Sequence, residues 1–336
     1  MGQKSIYFLV VIIILVGCSQ AGEIPNTQLP TTTSIPNTII PEPIHTVAST
    51  APGESPGLVY DNFEHDGIKR FHMVYIPESY NDTDFMPLVI YLHSYGWGAQ
   101  TGMDYTQLNQ VAEDYGFIIA YPNAKYNWNS GIGENPDWAT PDNDDVGYID
   151  AMIELLIDQY KIDAGRIYAT GYSNGGFMAY KMACELSHRI AAIASVSGVI
   201  STSTQANCDP SRTIPILQIH GTNDSYVPMA GGTGWQSVDE TLNFWIQNND
   251  CKDTDTIILE DSNPSDECTV ELISYTNCSN NSQVIFYHVI NGGHTWPGAG
   301  RTGYPAGKTN QDINAGVEIW NFFKDFELPS TLTSSN

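Results

Sequence analysis

Two kinds of hydrophobic pattern alternate along the chain from residue 58 onward. Short, largely apolar runs of strand length fall at 71–76, 88–92, 117–121, 166–169, 191–196, 214–219 and 284–290. Between them lie longer segments of helical spacing, near 103–115, 145–160, 174–186, 235–247 and 311–326. In the segment 145–160, Val146, Ile149, Ile153, Leu156 and Tyr160 recur at three- and four-residue steps, which gives a helix one buried face. Such alternation predicts an α/β domain with a mostly parallel, twisted sheet and helices on both faces. No internal repeat is visible.

One stretch organises the candidate chemistry. Thr170-Gly171-Tyr172-Ser173-Asn174-Gly175-Gly176-Phe177 joins the strand at 166–169 to a helix. A serine between strand and helix, with glycines two residues to either side, has the G-x-S-x-G pattern of a nucleophile elbow. The tight turn strains Ser173, and a Cβ at 171 or 175 would collide with the neighbouring strand and helix. Ser173 then presents its hydroxyl at a helix N-terminus, where the Asn174 amide can stabilise an oxyanion.

An elbow serine needs an acid and then a histidine further along the chain. Asp224 stands in His220-Gly221-Thr222-Asn223-Asp224, the loop at the carboxyl end of the strand 214–219. His294 stands in Asn291-Gly292-Gly293-His294-Thr295-Trp296-Pro297-Gly298, directly after the strand 284–290. Asp224 would orient the imidazole, and His294 would carry the serine proton to the leaving alcohol. His220 is the rival base, but it precedes Asp224 and so reads as a structural residue at a strand end. A second oxyanion donor should follow the strand 88–92, in His93-Ser94-Tyr95-Gly96-Trp97-Gly98. The Tyr95 amide is the candidate, with His93 shaping the loop.

The N-terminus reads as an address. Lys4 precedes an apolar run from Ile6 to Val16, too short to span a bilayer permanently but suited to a signal peptide. It ends in Leu15-Val16-Gly17-Cys18, which resembles a bacterial lipobox, so Cys18 is the expected lipidation site and residues 1–18 the leader. An ordinary secretory signal is the alternative, and both export the protein. Residues 19–57, rich in Thr, Pro, Ser and Asn, are too polar to bury a core and form a disordered tether. The catalytic domain is expected over 58–328, with a flexible tail at 329–336.

Charge narrows the partners. Asp and Glu number 38 against 13 Lys and Arg, a formal charge of −25, which argues against nucleic acid and against an anionic membrane surface. Membrane association is expected only through the N-terminal lipid, and the enzyme is expected to be a monomer. No cofactor is expected. The cysteine spacing does not suggest zinc. Asp137, Asp142, Asp144 and Asp145 could suggest calcium, but a solvated loop running into a helix N-cap is the preferred reading, so no metal is assigned.

The sequences around His93, Ala120-Tyr121-Pro122, Trp128-Asn129, Asp145-Val146-Gly147-Tyr148, the elbow, the Asp224 loop and Gly292-Gly293-His294-Thr295-Trp296-Pro297-Gly298 resemble a known family. It is the secreted esterases of the polyhydroxybutyrate depolymerase and feruloyl esterase family, and the resemblance covers about residues 59–326. It implies one α/β-hydrolase domain with a Ser-Asp-His triad, carried here onto Ser173, Asp224 and His294. It also implies a His-Gly-x oxyanion loop, where this chain has Ser94 in place of the glycine. With Cys18 set aside, the resemblance favours Cys184–Cys208 and Cys251–Cys278 as disulfides, leaving Cys268. A Cys251–Cys268 pairing stays open, since connectivity does not follow from sequence.

Trp128 and Trp138, with Tyr126 in the segment 123–143, and Trp296 beside His294 are candidate substrate-binding aromatics, with plain packing as the competing reading. Three functions fit. The first is a serine carboxylesterase working through an acyl-enzyme and releasing feruloyl, cinnamoyl or acetyl groups from plant polysaccharide. The second is a hydrolase of polyhydroxyalkanoate chains or oligomers. The third, of another class, is a non-catalytic surface binding protein on a hydrolase scaffold, which a broken triad would have signalled. The first is preferred over the second because no polymer-binding domain is seen after Phe326.

Overall fold

The computed structural model describes residues 56–133, 143–300 and 306–333. The leader, Cys18, nearly all of the tether, Trp138, Asp137, Asp142 and the last three residues of the tail lie outside the described residues. The strands are β1 Gly57–His65, β2 Ile68–Ile76, β3 Met86–Leu92, β4 Ile118–Pro122, β5 Ile162–Tyr172, β6 Ala192–Val196, β7 Ile216–Gly221, β8 Asp253–Ile258, β9 Thr269–Thr276 and β10 Val284–Ile290. The helices are α1 Ala99–Thr106, α2 Leu108–Tyr115, α3 Asp145–Gln159, α4 Asn174–Glu185, α5 Thr202–Ala206, α6 Val238–Asn248, α7 Ala315–Phe323 and α8 Ser330–Thr333.

The ten strands of the described residues form one sheet in the order β1-β2-β4-β3-β5-β6-β7-β10-β9-β8. From β4 through β10 the neighbours run parallel. Antiparallel pairs close both edges. The parallel strands β3, β4, β6 and β7 are buried almost throughout, which is why they read as continuous apolar runs. Alternate residues feed two cores. Leu88, Ile90 and Leu92 of β3 pack with α3, α4 and α6, while Val89 and Tyr91 pack with α1, α2 and α7.

Three strands escaped the sequence pattern for a physical reason. β1, β8 and β9 lie outside the parallel set, and every residue of β8 is exposed, so no apolar run marks it. β1 and β2 form a hairpin across Asp66 and Gly67, whose φ values of 51° and 71° suit a tight left-handed turn. The single helix expected over 103–115 is two. Gln107 takes φ 55° and breaks the helix between α1 and α2. The helix expected from 235 begins at Val238, where Ser237 and Glu240 form a reciprocal capping box. The helix expected from 311 likewise begins later, at Ala315, capped by the Asn314 side chain.

Two disulfides fasten the α4 and α6 side of the molecule. Cys184 at the end of α4 is bonded to Cys208 beyond α5, and Cys251 beyond α6 to Cys278 beyond β9. Loops of 24 and 27 residues closed in this way contribute on the order of 3 kcal/mol each in the chain-entropy account. Cys268 is buried and unbonded, so Cys251 does not pair with it. Inside the sheet layer, Arg70 of β2 is ion-paired with Asp145 at the start of α3 at 2.6 Å, and its guanidinium lies 3.8 Å from the Tyr148 ring centre.

His72 and His93 are almost wholly buried, and burial pushes both imidazoles down to about 4, against a weaker upward pull from Asp61 on the first and from the Ser94 carbonyl on the second. The unfolded chain therefore takes up protons at these positions between pH 6.5 and about 4 while the folded chain does not. The stability they confer is complete above pH 6.5 and is lost as the pH falls toward 4. Urea titrations across that window should show stability falling by up to about 7 kcal/mol, roughly 1.4 kcal/mol per pH unit for each histidine once below its unfolded value. A flat profile would show that neither histidine is held neutral.

Candidate active site

The site lies at the carboxyl ends of β5, β7 and β10. Ser173 follows β5 and precedes α4 with φ 55° and ψ −118°, a strained backbone for a residue with a side chain. Two close approaches force this turn. A Cβ on Gly171 would lie 2.9 Å from Gly175 Cα, and one on Gly175 would overlap the Leu92 carbonyl and lie 2.9 Å from His93 O. The Ser173 amide donates to Val196 O at 2.9 Å, tying the turn to β6. Asn174 is the first helical residue of α4, so its amide is one of the N–H groups a helix start leaves without an intrahelical partner.

Asp224 and His294 are brought together by the parallel pairing of β7 with β10. Asn223 N donates to Gly292 O at 2.8 Å and Thr222 N to Val289 O at 2.9 Å, which locks the two loops side by side. His294 Nδ1 lies 2.7 Å from Asp224 Oδ2, while Asp224 Oδ1 accepts from the Tyr226 and Val227 amides at 2.9 and 2.8 Å. With Nδ1–H donated to the carboxylate, His294 Nε2 carries the ring's lone pair and can accept a proton. Burial alone would push the Asp224 carboxyl up. The His294 hydrogen bond, the electrostatic interaction with the His294 and His220 rings and the Val227 amide outweigh it and hold the group below the ordinary carboxylate range.

His294 is also tied back to the serine strand. Tyr172, the residue before Ser173, donates its hydroxyl to His294 O at 2.6 Å, and its ring lies 5.1 Å from the imidazole. Burial foremost, with Tyr105 and Asp224 adding, raises the Tyr172 phenol well above its usual value, so it stays a donor.

His220 is differently committed. Its Nδ1 lies 3.0 Å from the Gln218 side-chain amide nitrogen and its Nε2 2.8 Å from Val227 O. An amide nitrogen donates and a carbonyl accepts, so His220 is set as the neutral Nε2–H tautomer, and both ring nitrogens are in use. Burial also lowers its pKa, in spite of Asp224 at 3.5 Å. This imidazole links the strand end to the Val227 turn.

The loop after β3 carries His93, Ser94 and Tyr95. His93 Nδ1 donates to Ser94 O at 2.9 Å, and its Nε2 accepts from Ala124 N at 3.1 Å, so the ring shapes the loop. The Tyr95 side chain is partly exposed. Ser94, in the expected glycine position, is buried.

Of the candidate wall aromatics, Trp128 and Trp296 take the packing role, while Tyr126 is exposed. Trp128 is wholly buried and donates its indole N–H to His93 O at 3.0 Å. Trp296 is wholly buried against Tyr91, with centroids 5.9 Å apart. Both side chains pack against protein, Trp128 against the His93 ring and Trp296 against the Tyr91 ring. The exposed aromatic beside the imidazole is Tyr226, 38% exposed with its ring 5.2 Å from that of His294. Half-buried Trp97 packs 5.5 Å from Tyr172 and 5.1 Å from Tyr105. The reading from sequence passed over both, although Tyr226 stands two residues after Asp224 and Trp97 lies within the His93 loop.

Among the described residues, His65, Asp66 and Asp144 offer metal-type ligand atoms within 4.8 Å of one another. Asp144 is already the cap of α3, accepting from Gly147 N at 2.8 Å, and is 3.0 Å from His65 Nε2. Asp145 is spent on Arg70 and the Asn129 amide.

A profile of the phospholipase/carboxylesterase family matches residues 81–265, a span that includes Ser173 and Asp224 and ends before His294. The chain is 28% identical over 221 residues to feruloyl esterase C of Emericella nidulans, covering 63% of this chain and 73% of that one. It is 27% identical over 264 residues to a probable feruloyl esterase C of Aspergillus clavatus, covering 76% and 86% respectively. Among solved structures, an acetyl xylan esterase from Aspergillus awamori superposes with a TM-score of 0.51 at 16% identity over 70% of this chain and 94% of that one, which shows a common fold. The chain belongs to the phospholipase/carboxylesterase family of α/β-hydrolases and is a carboxylic ester hydrolase. The two disulfides fit export to an oxidising compartment.

The glycine constraint at the elbow is directly measurable. Gly175→Ala should lower stability by roughly 3 kcal/mol or more in chemical denaturation, because the new methyl group has only backbone to displace. Gly133→Ala, where none of the described residues lies within 4 Å of the added carbon, should change it by about 0.5 kcal/mol or less. Equal effects at the two positions would contradict the close approach of α4 to β3.

Proposed function

We propose that this ester hydrolase works through Ser173, with His294 as general base and Asp224 as the acid that orients it, and forms an acyl-enzyme. The observation that carries the reading is the 2.7 Å contact between His294 Nδ1 and Asp224 Oδ2, on a histidine whose carbonyl is bonded to the residue preceding Ser173. His294 Nε2 takes the Ser173 proton as the oxygen adds to the ester carbonyl. The negative charge then forming on the carbonyl oxygen is met by the Asn174 and Tyr95 amides, aided by the N-terminal dipole of α4. The imidazolium, stabilised by Asp224, gives its proton to the departing alcohol oxygen as the C–O bond breaks. Water repeats the cycle with the same base and releases the acid.

The acyl group is feruloyl, cinnamoyl or acetyl carried on plant polysaccharide. The names of the relatives support the aromatic acids, and the Tyr226 and Trp97 rings beside His294 and Tyr172 offer flat apolar surface for one. No cofactor enters this chemistry, and the enzyme acts as a monomer. Cys18 carries a lipid that holds the enzyme at the cell surface, so Cys18→Ala should move it from the detergent-extracted membrane fraction to the soluble one. Retention of that variant in the membrane would require another anchor.

The test combines variants with a substrate panel. Ser173→Ala and His294→Gln should each cut turnover of methyl ferulate by several orders of magnitude without loss of fold, and Asp224→Asn by about 10⁴. His220→Gln should lower the melting temperature more than the rate per folded molecule. Full activity in Ser173→Ala, or an indispensable His220 beside a dispensable His294, would overturn the assignment. Of methyl ferulate, acetylated xylan and hydroxybutyrate oligomers, the first should give the highest kcat/KM. A preference for the oligomers would move the enzyme to polyester hydrolysis.

A further inference from the structure

The segment 123–130 contains Trp128 and Asn129, a pair singled out in the sequence that the proton-transfer chemistry does not use. It touches both halves of the proposed oxyanion site. Toward the loop after β3, Asn123 Oδ1 accepts from Ala99 N at 2.8 Å, and Asn127 Oδ1 accepts from Gly96 N at 2.6 Å. Ala124 N donates to His93 Nε2 at 3.1 Å, and the Trp128 indole N–H donates to His93 O at 3.0 Å. Toward the elbow, the Trp128 amide donates to Asn174 Oδ1 at 2.9 Å, and Asn174 Nδ2 donates to Ser130 Oγ at 2.9 Å. One residue, Trp128, thus binds the His93 loop through its side chain and Asn174 through its backbone.

The segment is itself fixed from a third direction. Asn129 N donates to Asp145 Oδ2 at 2.7 Å, Asn129 O accepts from Lys181 Nζ at 2.9 Å, and the other Asp145 oxygen is ion-paired with Arg70 at 2.6 Å. Trp128, Ser130, Asn174, Arg70 and Asp145 are all almost wholly buried. Hydrogen bonds in such surroundings are costly to break, so the segment holds one geometry.

Resting on the serine reading above, we propose that Trp128 and Ser130 are positioning residues: they form a brace that sets the separation and aim of the Asn174 and Tyr95 amides toward the oxyanion. Neither side chain needs to touch substrate. A peptide N–H stabilises the tetrahedral state only where it points at the oxygen's final position, and an error of about 1 Å costs on the order of 100-fold. The Asn174 side chain acts as the handle by which the brace holds the start of α4. The indole N–H acts in the same way on the loop that carries Tyr95.

The test uses the full chain with Trp128→Phe, which keeps the ring packing and removes the indole donor, and Ser130→Ala, which removes the acceptor of Asn174 Nδ2. Active sites are counted by labelling with an alkyl fluorophosphonate. Both variants should lower kcat per labelled site roughly 10- to 100-fold with KM and the shape of the pH profile unchanged, since His294 and Asp224 are untouched. A trifluoromethyl ketone, which mimics the tetrahedral adduct, should lose affinity by the same factor, while the product acid binds as before. A purely structural role would lower the melting temperature and leave the rate per labelled site intact, and that result in either variant overturns the brace. If the unmodified enzyme is not labelled at Ser173, the serine reading itself fails. A labelled and fully active variant removes only the brace.

Discussion

The contact on which the site depends is the packing of the α4 N-terminus against the end of β3, with Gly175 set directly on the Leu92 carbonyl. Only hydrogen atoms at 171 and 175 let Ser173 hold φ 55° between strand and helix. That geometry places three things together: the Ser173 hydroxyl, the first N–H groups of α4 and the loop 93–95 that leaves β3. The strain at one residue is held by the strands around it, with β3 and β6 buried almost throughout and β5 buried from Ile167 to Tyr172. A less rigid sheet would let the turn relax and separate these groups.

Around this contact the same carboxylate faces two imidazoles, and hydrogen bonding separates their roles. Asp224 Oδ2 is 2.7 Å from His294 Nδ1 and 3.5 Å from His220 Nε2. His220 has both nitrogens committed, to Gln218 and to Val227, which keeps it neutral and fixed. His294 is held at its backbone by Tyr172 and at one nitrogen by Asp224, which leaves the other nitrogen available. Parallel pairing of β7 and β10 sets the distance between the Asp224 and His294 loops, and the Tyr172 phenol sets the distance of His294 from the strand that leads to Ser173. Position in the sheet and local hydrogen bonding thus combine to give two chemically identical side chains different work.

Buried polar groups then carry this arrangement outward. The Arg70 and Asp145 pair lies far from Ser173 in sequence, but through Asn129 and Trp128 it reaches both Asn174 and His93. Burying a full ion pair costs desolvation, and a mispaired partner would cost more, so such a network favours one arrangement over its competitors. The disulfides brace the opposite side of the same layer, holding α4 and α6 by their C-terminal ends.

By itself the sequence determined what depends on local sterics and on burial from both sides. The paired glycines about Ser173 mark a turn that only glycine permits, and the continuous apolar runs of β3, β4, β6 and β7 mark strands covered on each face. The order of Ser173, Asp224 and His294, each after such a run, was legible for the same reason. Tertiary structure alone decided the rest. β8 lies at a sheet edge with every residue exposed, so its pairing with β9 leaves no hydrophobic signature. The left-handed Gln107 that divides α1 from α2 carries neither glycine nor proline to announce it. Trp128 and Trp296 have the composition of a binding wall, yet both are buried, while Tyr226 and Trp97 stand beside His294 and Tyr172. Whether an aromatic faces solvent or protein is settled by residues that approach it from elsewhere in the chain, and no local pattern records their arrival.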